Sequence, residues 1–209
     1  MIQEILPPRV IAVEARRDLP SVLLHPVEWA VAEKMSAYRR QEFATGRACA
    51  RAALTRLGFP PLPVGRGPMG APDWPPGVAG SITHCLGYRA CAVSREAAAV
   101  GIDAEPHAEF PRVALDFITT QAERIMLEQL ELHAPGVHLG RVLFSAKEAV
   151  CKAWWPLTRH RLGFTDLEVE LGEGTFAARP LMPGTPSELT GRWKVVDDLI
   201  LTAVVVGTE

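Results

Sequence analysis

Asp103 and Glu105 stand two residues apart in VGIDAEP, 100–106. On an extended strand, positions i and i+2 face the same side. Two carboxylates held side by side repel each other unless a cation lies between them. An oxygen-only pair of this kind suits Mg²⁺, which keeps part of its water shell and shares a substrate phosphate. The competing reading is a solvated strand end with two surface acids. A second charged group follows in FSAKEAVCKAW, 144–154, where Lys147, Glu148 and Lys152 stand among apolar and small residues. Ser145 and Glu148 have the S-x-x-E spacing of a capping box. Lys152, four residues after Glu148, is placed for a helical ion pair. Alone, this stretch reads as a capped helix with a surface pair.

Cations suited to phosphate come earlier. YRRQEFATGRACAR, 38–51, carries Arg39, Arg40, Arg47 and Arg51. Arg40, Arg47 and Arg51 fall near one helical stripe and Arg39 flanks it, which reads as a solvated face or a polyphosphate site. GRGPMG, 65–70, matches G-x-G-x-x-G by letter. Pro68 inside it and Pro72, Pro75 and Pro76 after it deny it the strand–loop–helix setting of a dinucleotide fingerprint. It is expected to be a turn-rich connection, with Arg66 a loop cation able to meet a phosphate. His84 stands beside Thr83 at a strand end in SITHC, 81–85. A lone histidine there is more often structural than catalytic.

The elements that must position these groups follow from periodicity. RVIAVEA, 9–15, reads as a strand and 26–59 as one long helical region stopped by Gly58, Pro60 and Pro61. Strands are expected at 78–85, 89–94 and 97–106, a helix over 113–133, and a helix opening at the FSAKEAVCKAW stretch and ended by Pro156. FTDLEVEL, 164–171, alternates as a strand, and 192–206 reads as a closing hairpin turning at Asp197 and Asp198. The expected class is α+β, with two similar lobes, 1–107 and 108–209, forming one functional unit.

The chain has 209 residues, 48% hydrophobic and 22% charged, with a formal charge of −2. That composition supports a large core and gives no global pull toward nucleic acid or an anionic membrane. The four cysteines, Cys49, Cys85, Cys91 and Cys151, have no zinc-like spacing and are expected as reduced thiols. The N-terminus lacks the basic head and apolar run of a signal peptide, and no run approaches a membrane span. A cytoplasmic protein is expected.

Together the motifs resemble the paired signature of 4′-phosphopantetheinyl transferases, (V/I)G(I/V)DxE followed by (F/W)(S/C/T)xKE(A/S)xxxK. Gly101, Asp103, Glu105, Phe144, Ser145, Lys147, Glu148, Ala149 and Lys152 occupy those positions. GSITHC is similar to a motif of the enterobactin-synthase component D branch, and RRQEFATGRACAR and GAPDWPPG to the actinobacterial branch. The resemblance covers about 38–206 and implies a monomer of two α/β lobes in pseudo-twofold arrangement, with coenzyme A in the cleft between them. It implies Mg²⁺, or alternatively Mn²⁺, on Asp103, Glu105 and Glu148. It further implies Arg39, Arg47 and Arg66 on the 3′-phosphate and its neighbours, Thr83 and His84 on the nucleotide's phosphates, and Lys147 and Lys152 on the pyrophosphate. Ala104, where some relatives have an acid, is expected to point away from the site.

The implied reaction moves phosphopantetheine from coenzyme A to a serine of an apo acyl or peptidyl carrier protein in fatty-acid, polyketide or nonribosomal-peptide synthesis. Adenosine 3′,5′-bisphosphate is released. Glu148 is the first choice for the base, with Lys152 on the leaving phosphate and Asp103 completing the catalytic set. The rivals are a Mg²⁺-dependent CoA or nucleotide hydrolase and a non-catalytic CoA-binding regulator. An apolar docking face for the carrier is sought at Phe117, Ile118, Met126 and Leu127, aided by Arg112, Arg124 or Arg141.

Overall fold

The helical region after residue 26 is broken in two because it carries a second cap. In the computed structural model, which describes residues 1–182 and 188–207, α1 (Pro26–Ala32) is followed by α2 (Ala37–Arg56). The Ser36 hydroxyl accepts from the Arg39 N–H and restarts the helix. Arg40 folds back to donate to the carbonyls of Ala32, Glu33 and Met35, meeting acceptors that the end of α1 leaves open. Arg40 is therefore a structural cation. Arg51 is another, paired with the fully buried Glu28 carboxylate and bonded to the Leu23 carbonyl.

β1 (Ile11–Ala15), β5 (Tyr88–Ser94) and β4 (Ala79–Cys85) form an antiparallel sheet in that order, and a small ribbon pairs β2 (Gly65–Arg66) with β3 (Pro72–Asp73). The second sheet runs β6 (Ala97–Pro106), β10 (Leu199–Gly207), β9 (Leu189–Val196), β8 (Thr175–Pro180) and β7 (Leu167–Gly172). The expected hairpin is present, with Asp197 and Asp198 at φ 48° and 58° as a two-residue left-handed turn requires. β6 takes its ladder from β10, with Asp103 opposite Thr202. Toward β4 it is tied by hydroxyls instead. Ser81 Oγ accepts from the Ile102 N–H and Thr83 Oγ1 from the Ala104 N–H.

Three helices pack on this frame, α3 (Arg112–Ile118), α4 (Gln121–Glu131) and α5 (Leu139–Thr158). The single helix expected over 113–133 is thus two, because Thr120 and Glu123 form a capping box that starts α4. α5 begins six residues before Ser145, so the cap expected at Ser145 and Glu148 does not exist. Pro156 does not end α5 either; the helix closes at Arg159 in a left-handed conformation. A strand at β8 was not expected from the sequence. The four cysteines are free thiols. Among the described residues no helix is long and apolar enough to cross a membrane.

α5 lies against β6 at very close range. A Cβ added to Gly101 would sit 1.9 Å from the Ala149 carbonyl oxygen, which is helix backbone. Gly101→Ala must push α5 off the sheet, at a cost of about 1–3 kcal/mol for overpacking. Chemical denaturation should show the lower midpoint; an unchanged midpoint would mean that the contact is slack. This approach is what brings Glu148 and Lys152 to the acids of β6.

Candidate active site

Asp103 and Glu105 share one face of β6, and Ala104 between them turns into an apolar cluster with Val100, Ile102 and Leu201. Asp103 is 5% exposed. Its Oδ1 accepts from Lys152 Nζ at 2.7 Å and from Thr83 Oγ1 at 3.1 Å, and its Oδ2 from Ser145 Oγ at 2.8 Å. Ser145 therefore orients the acid rather than capping a helix. Lys152 Nζ also donates to the Ile102 carbonyl. Burial opposes the charge on Lys152, but Asp103, Glu148 and Glu105 outweigh it and raise the ammonium's pKa.

Glu105 is paired with Arg141 at 2.9 Å, and Arg141 stacks on Phe110. Burial, then the charge of Asp103, raises the Glu105 pKa against the pull of Arg141. Glu148 is half-buried and makes no hydrogen bond or ion pair to another described residue. Burial is also the largest cause of its raised pKa; Asp103 adds to it and Lys152 opposes it.

These groups line two adjoining cavities. The smaller, about 310 Å³, is walled by Thr83, His84, Asp103, Glu105, Phe144, Glu148 and Lys152, with Ile82 behind. The larger, about 1080 Å³, takes Arg39, Arg47 and Arg66 on one side and the end of α5 on the other. Ile82, His84, Glu148 and Lys152 belong to both.

On the larger cavity, Arg47 is nearly buried. It stacks on Phe43 and donates to the Gly65 carbonyl, while its Nε has no partner among the described residues. Burial pushes its pKa down to about 10, so it stays charged at neutral pH. Arg39 pairs with Glu42 and lies 3.1 Å from His84 Nδ1. Burial, then the Arg39 charge, pushes His84 down to about 4, leaving a neutral ring at pH 7. Arg66 curls against Gly70, whose φ of 79° suits the turn expected in GRGPMG. Sequence reasoning missed Glu42, which holds Arg39 and the buried Arg89 together. Its only signal was its place within RRQEF.

Lys147 is not at either cavity. It is fully buried, with Nζ 2.8 Å from Glu123 Oε2 and bonded to the carbonyls of Ile118, Phe164 and Leu167. The expectation that it meets a pyrophosphate is corrected: α5 turns this side chain away from Glu148 and Lys152, and its donors are already taken. The docking face also changes. Phe117 is 77% exposed, but Ile118 and Leu127 are buried and Met126 is half-buried.

Among the described residues no three His, Cys, Asp or Glu side chains are grouped closely enough to form a ready metal cage. Asp103 is turned onto Lys152 and Glu105 onto Arg141. The donor chemistry nevertheless fits Mg²⁺, which commonly takes one or two protein carboxylates together with waters and phosphate oxygens. Glu148 has no hydrogen-bond or ion-pair partner among the described residues, and the charge of Asp103 raises the pKa of both neighbouring acids, so a cation here relieves a repulsion already present.

Comparison with known proteins shows the family of the chain. Residues 27–94 match the 4′-phosphopantetheinyl transferase N-terminal domain, and residues 99–204 the 4′-phosphopantetheinyl transferase superfamily. The chain is similar to the 4′-phosphopantetheinyl transferase Svp of Streptomyces mobaraensis, 45% identical over 99% of this chain and 89% of that one. It is 42% identical to Npt of Nocardia iowensis over 98% of this chain and 99% of that protein. It is also 42% identical to PptT of Mycobacterium tuberculosis, over 92% and 90%. Both relatives are likewise named 4′-phosphopantetheinyl transferases. The two signature stretches meet in one site, and the likeness runs nearly end to end: the chain belongs to the 4′-phosphopantetheinyl transferase family.

Proposed function

We propose that this chain transfers 4′-phosphopantetheine from coenzyme A to a serine of an apo carrier protein, with CoA bound between the part that carries the β1–β5–β4 sheet and the part that carries the sheet of β6 and β7–β10. The observation that carries this reading is the junction of the two cavities. There a half-buried carboxylate with no partner among the described residues, Glu148, lies within the fields of a cation and a second acid, Lys152 and Asp103.

The larger cavity offers Arg39, Arg47 and Arg66 to the nucleotide phosphates, with neutral His84 and Thr83 as hydrogen-bonding neighbours. On this reading the pyrophosphate lies against Lys152. The carrier serine oxygen forms a bond to the phosphorus that bears pantetheine. The bond from that phosphorus to adenosine 3′,5′-bisphosphate breaks, and the bisphosphate leaves with the electron pair. Glu148 accepts the serine proton as the base. Lys152, fixed by Asp103, faces the charge growing on the leaving phosphate. Mg²⁺ held by Asp103, Glu105 and Glu148 would supply further neutralisation of the pyrophosphate. Lys147 acts only by holding α5 in place.

Intact-mass measurement of an apo carrier after incubation with CoA and Mg²⁺ tests the reading. A gain of one phosphopantetheine is expected, and none on a carrier whose acceptor serine is replaced by alanine. Free phosphopantetheine with an unmodified carrier would make the chain a hydrolase instead. CoA binding without turnover would make it a regulator.

A further inference from the structure

The cavity wall that offers Arg39 also carries an acid. Glu42 lines the large cavity together with Arg39 and His84. A free carboxylate beside a phosphate would repel it. Glu42 is instead only 8% exposed, and both of its oxygens are taken. Oε2 accepts from Arg39 Nη1 at 2.9 Å, and Oε1 lies 3.1 Å from Arg89 Nη2. Arg89 is itself fixed. It is buried, paired with Asp18 at 2.8 Å, and bonded to the carbonyls of Cys85 and Tyr88 on either side of the turn between β4 and β5. His84 stands opposite Arg89 in the ladder of these strands, so the two side chains share one face. Glu42 meets that face from α2, with Oε1 3.8 Å from His84 Nδ1.

The contact between Arg39 and His84 decides where the ring holds its proton. A guanidinium only donates. Arg39 Nη1 is 3.1 Å from His84 Nδ1, so Nδ1 accepts and the proton of the neutral ring sits on Nε2. One Nη1 hydrogen goes to Glu42 and the other to His84. No other group among the described residues accepts a hydrogen bond from the Arg39 guanidinium. The rest of that fork and the His84 Nε2–H are left to the cavity.

Taking from the transferase reading only that CoA occupies this cavity, we propose that Glu42 is the positioning residue for the 3′-phosphate. Anchored on Arg89, it aims Arg39, and through Arg39 it keeps the His84 proton on Nε2. Phosphate oxygens accept, so both groups that this wall turns to them are donors.

Glu42→Gln tests the clamp. The amide has one acceptor oxygen in place of two, so its NH2 must face one of the two arginines. Calorimetry measures Kd for CoA and for 3′-dephospho-CoA. ¹⁵N NMR of histidine-labelled, unliganded protein reads the ring, with His84→Gln assigning its signals. In the parent, His84 should carry its proton on Nε2 alone. In Glu42→Gln, Kd for CoA should rise about tenfold, as for one lost hydrogen bond to a charged group, while Kd for 3′-dephospho-CoA should hold. The ring should become a mixture of both tautomers. Arg39→Met should give the same mixture, and its side chain is exposed enough to be replaced without loss of the fold. A parent ring protonated at Nδ1, or a ring that stays Nε2–H in Arg39→Met, overturns the proposal. An equal loss for both ligands in Glu42→Gln also overturns it and makes Glu42 a general support of the wall. Tighter CoA binding overturns it too, by making Glu42 a charge that the phosphate must work against. No CoA binding by the parent overturns this proposal and the transferase reading together. A parent that binds CoA in this way yet modifies no carrier contradicts the transferase reading alone.

Discussion

Glu148→Gln is expected to lower the turnover of carrier modification by about 10²–10⁴-fold, the usual range for loss of a general base. Glutamine keeps the shape of the side chain and removes only its ability to take a proton. The fold should not suffer. Glu148 makes no hydrogen bond or ion pair to another described residue, and burial already disfavours its charged form. A neutral amide relieves that penalty, so the melting temperature should hold or rise slightly. Single-turnover rates at saturating CoA, with a thermal melt of the same sample, check both halves. Near-normal turnover in a folded variant would remove Glu148 from the chemistry.

The largest stability effect is expected at Lys147, the neighbouring residue in the signature. Lys147→Met leaves Glu123 buried without its cation, at a cost of about 3–5 kcal/mol. Glu123 cannot move away from the loss, because its carboxylate also accepts from the N–H groups of Thr120 and Val169. Three further bonds from Lys147 to carbonyls go with it, untying the end of α3 and the start of β7 from α5. Adding Glu123→Gln should recover part of the loss, since no lone charge then remains inside. Urea unfolding measures each step. At a temperature where Lys147→Met is still folded, its KM for CoA should match the parent's. Parental stability with weakened CoA binding would return Lys147 to the pyrophosphate.

Much of this was legible in the sequence where one local rule decides the outcome. Alternation placed Asp103 and Glu105 on one side of β6 and Ala104 on the other, and the adjacent aspartates marked the hairpin turn. The signature spacing brought Glu148 and Lys152 to the same place. Rules that must be weighed against tertiary packing did worse. Ser145 fits a capping box, but α5 starts earlier because Leu139, Val142 and Leu143 are already buried in the core. Its hydroxyl then serves Asp103 from inside the helix. Lys147 and Lys152 look alike in one dimension. Five residues apart on a helix, they point in different directions, and Glu123 with three backbone carbonyls claims the first. Arg40, Arg47 and Arg51 were one stripe by spacing. Partners from α1 took Arg40 and Arg51 and left Arg47 to the cavity. Ile118 and Leu127 looked available for docking because the break between α3 and α4, which helps to bury them, depends on the cap at Thr120.

The most direct test of the account is the stoichiometry of a single turnover with apo carrier, CoA and Mg²⁺, counting modified carrier and released adenosine 3′,5′-bisphosphate together. If the serine is the acceptor at the junction of Asp103, Glu148 and Lys152, the two products should appear in equal amounts and at the same rate, and Glu148→Gln should slow both alike. Bisphosphate released ahead of carrier modification, or without it, would contradict the account.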